Sequence, residues 1–230
     1  MVSLSIETMY AAPALRGLGP RAAPSGIVKS AAPAPWRITR TGLAGDHQGD
    51  LVHHGGEEKA LHHYPRDRYA RWIEEEPALA EPLAAAPAFG ENISTTGLIE
   101  DDVCIGDIFA LGGALLQVSQ GRQPCWKLNA LFERKDMSRR VQESGRTGWY
   151  YRVLREGSAR PGDRLERVER PLPGWPLSRL NELLYRRTLD FDSLEQMTRL
   201  RELAAPWREL AARRLEKRAV EDWSSRLEGA

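Results

Sequence analysis

A thiol set between two cations is the group in this chain best suited to chemistry. Cys125 closes the run Val118-Ser119-Gln120-Gly121-Arg122-Gln123-Pro124-Cys125-Trp126-Lys127, with Arg122 three positions before it and Lys127 two after. Positive charge near a thiol favours the thiolate, the form that attacks carbon or binds a soft metal. Pro124 fixes one torsion beside the sulfur and biases Gln123 toward an extended conformation. The competing reading is a small buried apolar residue, the state of most free cysteines. Cys104, the second thiol, lies between Val103 and Ile105 in a strand-like pattern with no basic neighbour, and reads as structural.

All five histidines, His47, His53, His54, His62 and His63, fall in one short segment. Clustered imidazoles often bind zinc, but adjacent pairs point in different directions along an extended chain, and no His-Glu-x-x-His or Cys-x-x-Cys accompanies them. The spacing therefore argues against zinc. Two glycine-rich segments, Gly42-Leu43-Ala44-Gly45-Asp46 and His53-His54-Gly55-Gly56, are close in sequence. Their backbone amides suit a concave anion site, with Lys59 and Arg66 adding charge; the alternative is that they are plain loop corners. Neither Gly-x-x-x-x-Gly-Lys-Ser/Thr nor Gly-x-Gly-x-x-Gly is present, so those nucleotide-binding folds have no support. Asn92 is either a turn former or a polar contact to a ligand. A Ser-His-Asp hydrolase lacks its Gly-x-Ser-x-Gly elbow, while a nucleophile pair of Cys125 with His54 or His63 stays open on chemistry alone.

The elements that must position these groups divide into two stretches. Residues 11–36 are rich in Ala, Pro and Gly, which predicts loops around at most one short strand near Gly26-Ile27-Val28-Lys29. From about residue 36 to 168, short apolar runs alternate with Gly-rich turns, as in a β-rich domain. The clearest hairpin joins Ile105–Leu111 to Ala114–Val118 through Gly112-Gly113, where glycine admits positive φ. A helix starting near Pro65 carries Tyr69, Trp72 and Ile73 at helical spacing, and a second helical stretch is expected over Lys127 to Glu143. After Pro171, three short helices follow. They begin near Ser178, at the capping box Asp192-Ser193-Leu194-Glu195, and near Pro206. Such short helices must pack on each other and on the main domain to be stable. Their arginines read most simply as a solvated face, with a partner-docking surface as the alternative.

The chain has 230 residues, room for one large domain, or one domain with a small appendage. Its 41% hydrophobic and 28% charged content is that of a soluble globular protein. A net charge of +1 removes the electrostatic argument for general nucleic-acid or membrane-surface binding. No apolar run approaches the roughly 20 residues that span a bilayer, and the N-terminus lacks the basic and apolar regions of a secretory signal. Two cysteines make no disulfide framework, so a reducing compartment, the cytoplasm, is expected.

In order along the chain, these segments resemble a MOSC domain of the YiiM type, related to the C-terminal domain of molybdenum cofactor sulfurases. The matching pieces are Gly42-Leu43-Ala44-Gly45-Asp46, His54-Gly55-Gly56, His63-Tyr64-Pro65-Arg66, Phe89-Gly90-Glu91-Asn92, Gly106-Asp107, Val118-Ser119-Gln120 and Arg122-x-Pro124-Cys125-x-Lys127-Leu128. The C-terminal helices, ending in Glu221-Asp222-Trp223-Ser224-Ser225-Arg226-Leu227, resemble the all-α extension of that group. Gly121 departs from relatives with proline there, and His53 adds a second imidazole before His-Gly-Gly.

The resemblance implies an α+β fold, mainly β: a MOSC β-barrel with peripheral helices over residues 1–170 and a three-helix extension over 171–230. It implies molybdenum cofactor (molybdopterin with Mo) independent of pyridoxal phosphate, with Cys125 as the metal ligand. The implied activity is reduction of small N-hydroxylated substrates such as 6-N-hydroxylaminopurine, with electrons from a separate flavin-containing reductase. His54 or Asp46 would donate protons. Lys29, Lys59, Arg66 and Arg122 would face the pterin phosphate. Asn92 and the amides around Gly55 and Gly56 would hold the pterin or oxo ligands, and Tyr64 joins the cofactor contacts. No direct nucleic-acid or membrane partner is implied, and a homodimer is left open. The alternatives are a non-catalytic molybdopterin or sulfur carrier, with a persulfide on Cys125, and a binding protein that senses an anion through the Gly-Gly loop.

Overall fold

Period-two alternation of apolar residues builds the central sheet. The structure, a computed structural model, describes residues 2–49 and 55–229. Among them, seven strands form one sheet in the spatial order Ser3–Ile6, Asp163–Glu169, Ile108–Leu111, Ala114–Gly121, Trp149–Arg155, Leu61–Pro65 and Ile93–Thr95. Every pairing is antiparallel except the last, where His63 lies opposite Ile93 in parallel register. The two edge strands, Ser3–Ile6 and Ile93–Thr95, approach each other, so the sheet is a nearly closed barrel. Ile6, Phe109, Leu116, Val118, Tyr151 and Leu165 fill its interior, which is the expected consequence of closing a sheet whose alternate residues are apolar.

The expected hairpin is present, with Leu111 opposite Ala114 and Gly112 at φ +54°. A β-carbon on Gly112 would lie 2.4 Å from the Ser158 carbonyl oxygen, so the turn needs glycine twice over. The strand expected at Gly26–Lys29 is absent. The chain pairs on either side of it, at Ala23–Ser25 with Arg16–Leu18 and at Ser30–Ala31 with Tyr10–Ala11. Between these, Gly26 is pressed so closely on the His47 carbonyl that a β-carbon would sit 1.8 Å from its oxygen, and the backbone loops instead of laddering.

The helix beginning after Pro65 spans Asp67–Glu75 and buries Tyr69 and Trp72. The stretch expected over Lys127 to Glu143 splits into Lys127–Leu131 and Met137–Ser144, broken where Glu133 takes φ +53°. The C-terminal helices span Leu177–Tyr185, Phe191–Thr198 and Ala205–Lys217, the last with proline in its first turn as expected. The cap of the middle one is Asp190, two residues before the expected Asp192; its carboxylate accepts the Ser193 amide at 3.1 Å. A further short helix, Ser224–Glu228, follows the expected three. Leu177, Leu180, Leu194, Met197, Leu203 and Trp207 belong to the same hydrophobic core as the barrel strands. Trp207 also stands over the end of the Ala114–Gly121 strand, where a β-carbon on Gly121 would be 3.3 Å from its indole. Among the described residues, no helix is long and apolar enough to cross a membrane.

The last helices are tied by an ion pair with a pH signature. The Arg214 side chain, 1% exposed, donates to both Glu221 oxygens at 2.7 and 2.9 Å and to the Leu184 carbonyl at 3.1 Å. Burial alone would raise the Glu221 carboxyl, but hydrogen bonds from Arg214 and Trp223 outweigh it and hold it down at about 2. Its folded value thus lies below the ordinary glutamate value of about 4.3. The contribution to stability is complete above that ordinary value and lost as pH falls toward about 2. Glu221→Gln should therefore melt lower than the parent at neutral pH, with the gap closing across this acid window. Thermal melts at neutral pH and near the bottom of the window check this; an unchanged gap would contradict it.

Candidate functional site

Strand register lays down the floor of the site. His62 lies opposite Tyr150, and Tyr150 opposite Gln120, across three neighbouring strands. Alternation then sends His63, Trp149 and Tyr151 to the other side, where all three are fully buried. There the His63 ring bonds Tyr151 Oη at 3.0 Å through Nδ1 and Thr95 Oγ1 at 2.8 Å through Nε2. The His62 and Tyr150 rings, 5.0 Å apart, face a cleft instead. Its other walls are the loop through Ser25–Lys29, the loop through Asp46–Gly49, Phe89–Asn92 and the turn through Arg122–Cys125. Counted out to open solvent, the cleft holds about 630 Å³.

The cleft is cationic and contains one sulfur. Lys29, Lys59, Arg122 and Lys127 line it, with Asp46 as the one carboxylate among the described lining residues. Cys125 lines it, buried at 7% exposure. The Arg122 side chain, 5% exposed, is anchored by donating to the Phe89 carbonyl at 3.0 Å, while its backbone N–H donates to the Gly148 carbonyl at 3.1 Å. Phe89 is held in turn by Tyr64, whose ring stacks on it at 3.9 Å between centroids.

A buried polar network supports the lysine wall. Lys29 Nζ lies 2.6 Å from Asp46 Oδ2, and the pair's side chains are 6% and 2% exposed. Asp46 also accepts the Ala12 amide at 2.7 Å and the Asn92 side-chain amide at 2.7 Å. Asn92 Oδ1 accepts the His62 backbone N–H at 2.9 Å, and Nδ2 donates additionally to the Tyr10 carbonyl at 2.9 Å. One asparagine thus fixes the His62 strand to the loop that carries Asp46. Burial lowers the Lys29 ammonium from its ordinary value, and the Asp46 carboxylate works against that shift. Burial, then the nearby Arg122 charge, hold His62 well below the ordinary histidine value, so its ring is neutral at pH 7. Burial raises the Tyr150 phenol, which keeps its hydroxyl protonated.

Of the residues expected from sequence, Cys125, Lys29, Asp46, Lys59, Asn92 and Arg122 converge on this cleft. Tyr64 does not line it. It is fully buried in the neighbouring core, with its hydroxyl accepting from the Trp72 indole at 2.8 Å, and it meets the cleft only indirectly, through its ring contacts with Phe89 and His62. Arg66 is exposed and also lies off the cleft, because Pro65 ends its strand and sends it into the following helix. Gly55 and Gly56 are not among the lining residues; Gly56, at φ +88°, opens the short 3-10 turn Glu57–Lys59 that delivers Lys59. His53 and His54 lie outside the described residues. The Asp46 oxygens accept from three donor groups, which makes this residue a fastener for Lys29. A nucleophile pair of Cys125 with His63 is ruled out by the His63 bonds on the opposite face.

Sequence reasoning missed His62 and Tyr150 as lining residues, and had Lys127 only as positive charge beside Cys125. Strand alternation held the signal for His62: if His63 points inward, its neighbour must point out. For Tyr150 no local signal existed, since its position depends on pairing with His62. Cys104 is 2% exposed, with its thiol 3.6 Å from the Pro173 carbonyl. It forms an isolated bridge with Pro176 in place of a strand. Basic groups absent from its sequence neighbourhood arrive in space: burial pushes its thiol up, while Arg170 and Arg167 pull it partly back.

Residues 50–166 match the MOSC domain family, and residues 175–218 match the YiiM-like, 3-alpha helix domain. Protein YiiM of Escherichia coli (strain K12) is 39% identical over 210 residues, covering 91% of this chain and 93% of that one. A protein of Gibberella moniliformis (strain M3125 / FGSC 7600) named Reductase is 38% identical over 178 residues, covering 76% of this chain and 31% of that longer one. The crystal structure of YiiM from Escherichia coli superposes with a TM-score of 0.79 at 33% identity, over 95% of this chain and 98% of that one.

Proposed function

The chain belongs to the MOSC domain family, and on that premise we propose that it is a molybdenum-cofactor-dependent reductase of N-hydroxylated compounds such as 6-N-hydroxylaminopurine. The observation that carries this reading is the convergence of one thiol, Cys125, with Lys29, Lys59, Arg122 and Lys127 in a single cleft. Among the described residues, no three His, Cys, Asp or Glu side chains gather into a metal site. With the described residues supplying only Cys125, a metal bound there would bring other ligands of its own on an anionic carrier. A phosphate-bearing pterin dithiolene meets both conditions, since sulfur ligands match a soft thiolate and the phosphate matches the cations. A relative named Reductase adds support for an oxidoreductase.

When bound, the cofactor supplies the electron pair that splits N–OH, which with two protons leaves an N–H amine and water. The chain's own residues set the conditions. Cys125 would offer the sulfur that holds the metal to the protein. Lys29, Lys59, Arg122 and Lys127 would hold the phosphate, and the Asp46–Asn92 network fixes Lys29 before a ligand arrives, so little ordering would remain to be done on binding. Neutral His62 leaves the floor uncharged, and the Tyr150 hydroxyl remains a donor. Among the described residues, Lys29, with its ammonium destabilised by burial, would be the proton store; His54 is the other candidate. A separate flavin-containing reductase restores the electrons.

Elemental and pterin analysis of freshly purified protein, coupled to 6-N-hydroxylaminopurine reduction with that reductase, tests the proposal. The expected result is stoichiometric molybdenum with turnover, retained in Cys104→Ser because that thiol is buried away from the cleft. A persulfide on Cys125 without molybdenum would make the protein a sulfur carrier. Ligand binding without turnover by any electron donor would make it an anion sensor.

A further inference from the structure

The short helix Ser224–Glu228 ends against the turn that bears Cys125. The Arg226 guanidinium donates to the Pro124 carbonyl, and its second nitrogen donates to Gln142 Oε1 at 2.6 Å. The Trp126 backbone N–H donates in turn to the Arg226 carbonyl at 2.8 Å. Both chain neighbours of Cys125 are thus fastened to one residue, which is 102 positions beyond Pro124. Arg226 also lies beyond residues 175–218, the span matched by the helical domain family.

We infer that Arg226 is a positioning residue for Cys125, fixing the sulfur in the cleft lining by bridging Pro124 and Trp126. The inference rests on the reading of Cys125 as metal ligand and adds what holds that ligand still. A carbonyl and an amide on either side of one residue, tied to a single partner, restrict the torsions that swing its side chain. Gln142, the second acceptor, is 3% exposed, so the guanidinium is braced from behind. The helix is docked independently of this side chain. Leu227, 2% exposed, accepts from Asn129 Nδ2 and Ser138 Oγ at 2.8 Å through its carbonyl, and Gly229 packs on Trp126. Removing the guanidinium therefore loosens the Cys125 turn and leaves the helix in place.

The test is cysteine alkylation by iodoacetamide in the full chain prepared without molybdenum, with Cys104 and Cys125 followed separately by peptide mass. Arg226→Ala should speed Cys125 alkylation about tenfold or more, the scale set by losing a hydrogen bond to a charged group, and leave Cys104 at the parent rate. Arg226→Lys should restore part of the protection, because an ammonium still reaches one carbonyl. Arg139→Ala, which removes only the exposed pair with Glu228, should behave as the parent. In molybdenum-loaded protein, Arg226→Ala should lower metal affinity by about tenfold or more, as removal of outer-shell partners does. An unchanged Cys125 rate in Arg226→Ala overturns the inference, as does equal acceleration of both cysteines, which would report general destabilisation. If alkylation changes as stated but no form binds molybdenum, the positioning role stands and the metal-ligand reading fails.

Discussion

Cys125→Ser should lose N-hydroxyl reduction by at least about 100-fold, the upper end of what removing mere outer-shell partners costs a metal site. The loss should come from the metal and not from the fold. Serine nearly matches cysteine in volume and the residue lines the cleft, so the melting temperature should stay near that of the parent. The cationic wall of Lys29, Lys59, Arg122 and Lys127 is untouched, so the variant should still bind pterin phosphate while holding metal poorly. A hydroxyl is a hard, weakly acidic ligand at neutral pH and does not replace a thiolate on a soft centre. Parent-level turnover in Cys125→Ser with the reconstituted reductase would show that the sulfur is not the ligand.

Asp46→Asn should be the most destabilising change in the cleft and should also weaken cofactor binding. The Lys29–Asp46 pair is buried on both sides, at 6% and 2% exposure. Breaking one partner of a buried pair costs about 3–5 kcal/mol, because the other charge is left uncompensated. For a chain of this size, the lower figure corresponds to roughly 6–12 °C in melting temperature. The asparagine amide would also point a donor toward Lys29 or Asn92, where the carboxylate accepted from both. The double variant Asp46→Asn with Lys29→Met separates the two effects. It removes both charges, so stability should recover substantially, but the cleft has lost a cation and affinity for the cofactor should not return. If Asp46→Asn melts like the parent, the network does not hold the wall as described.

The parts of this fold legible in the sequence are those set by neighbouring residues. Gly112-Gly113 marks a hairpin because only glycine tolerates that turn, and Tyr69 and Trp72 mark a helix because their spacing matches its period. The order of short segments pointed to the family, and of the site residues that the resemblance implied, Cys125, Lys29, Asp46, Lys59, Asn92 and Arg122 line one cleft. What could not be read comes from contacts between distant segments. Gly26–Lys29 has the composition of a strand, but the His47 carbonyl occupies the space beside it. Tyr64 and Arg66 share a segment and a strand face with His62, yet Tyr69, Trp72 and Phe89 cover Tyr64 and the helix start carries Arg66 outward. Tyr150 reaches the cleft only through its register with His62. Arg226 meets Pro124 across more than a hundred residues, a distance over which no local pattern carries information.

Molybdenum K-edge X-ray absorption on cofactor-loaded protein tests the Cys125 ligand most directly, compared between the parent and Cys125→Ser. The parent should show one more sulfur around molybdenum than the pterin dithiolene supplies, and the variant should lose that one sulfur while keeping the dithiolene pair. An identical sulfur count in the two proteins would contradict a Cys125–molybdenum bond.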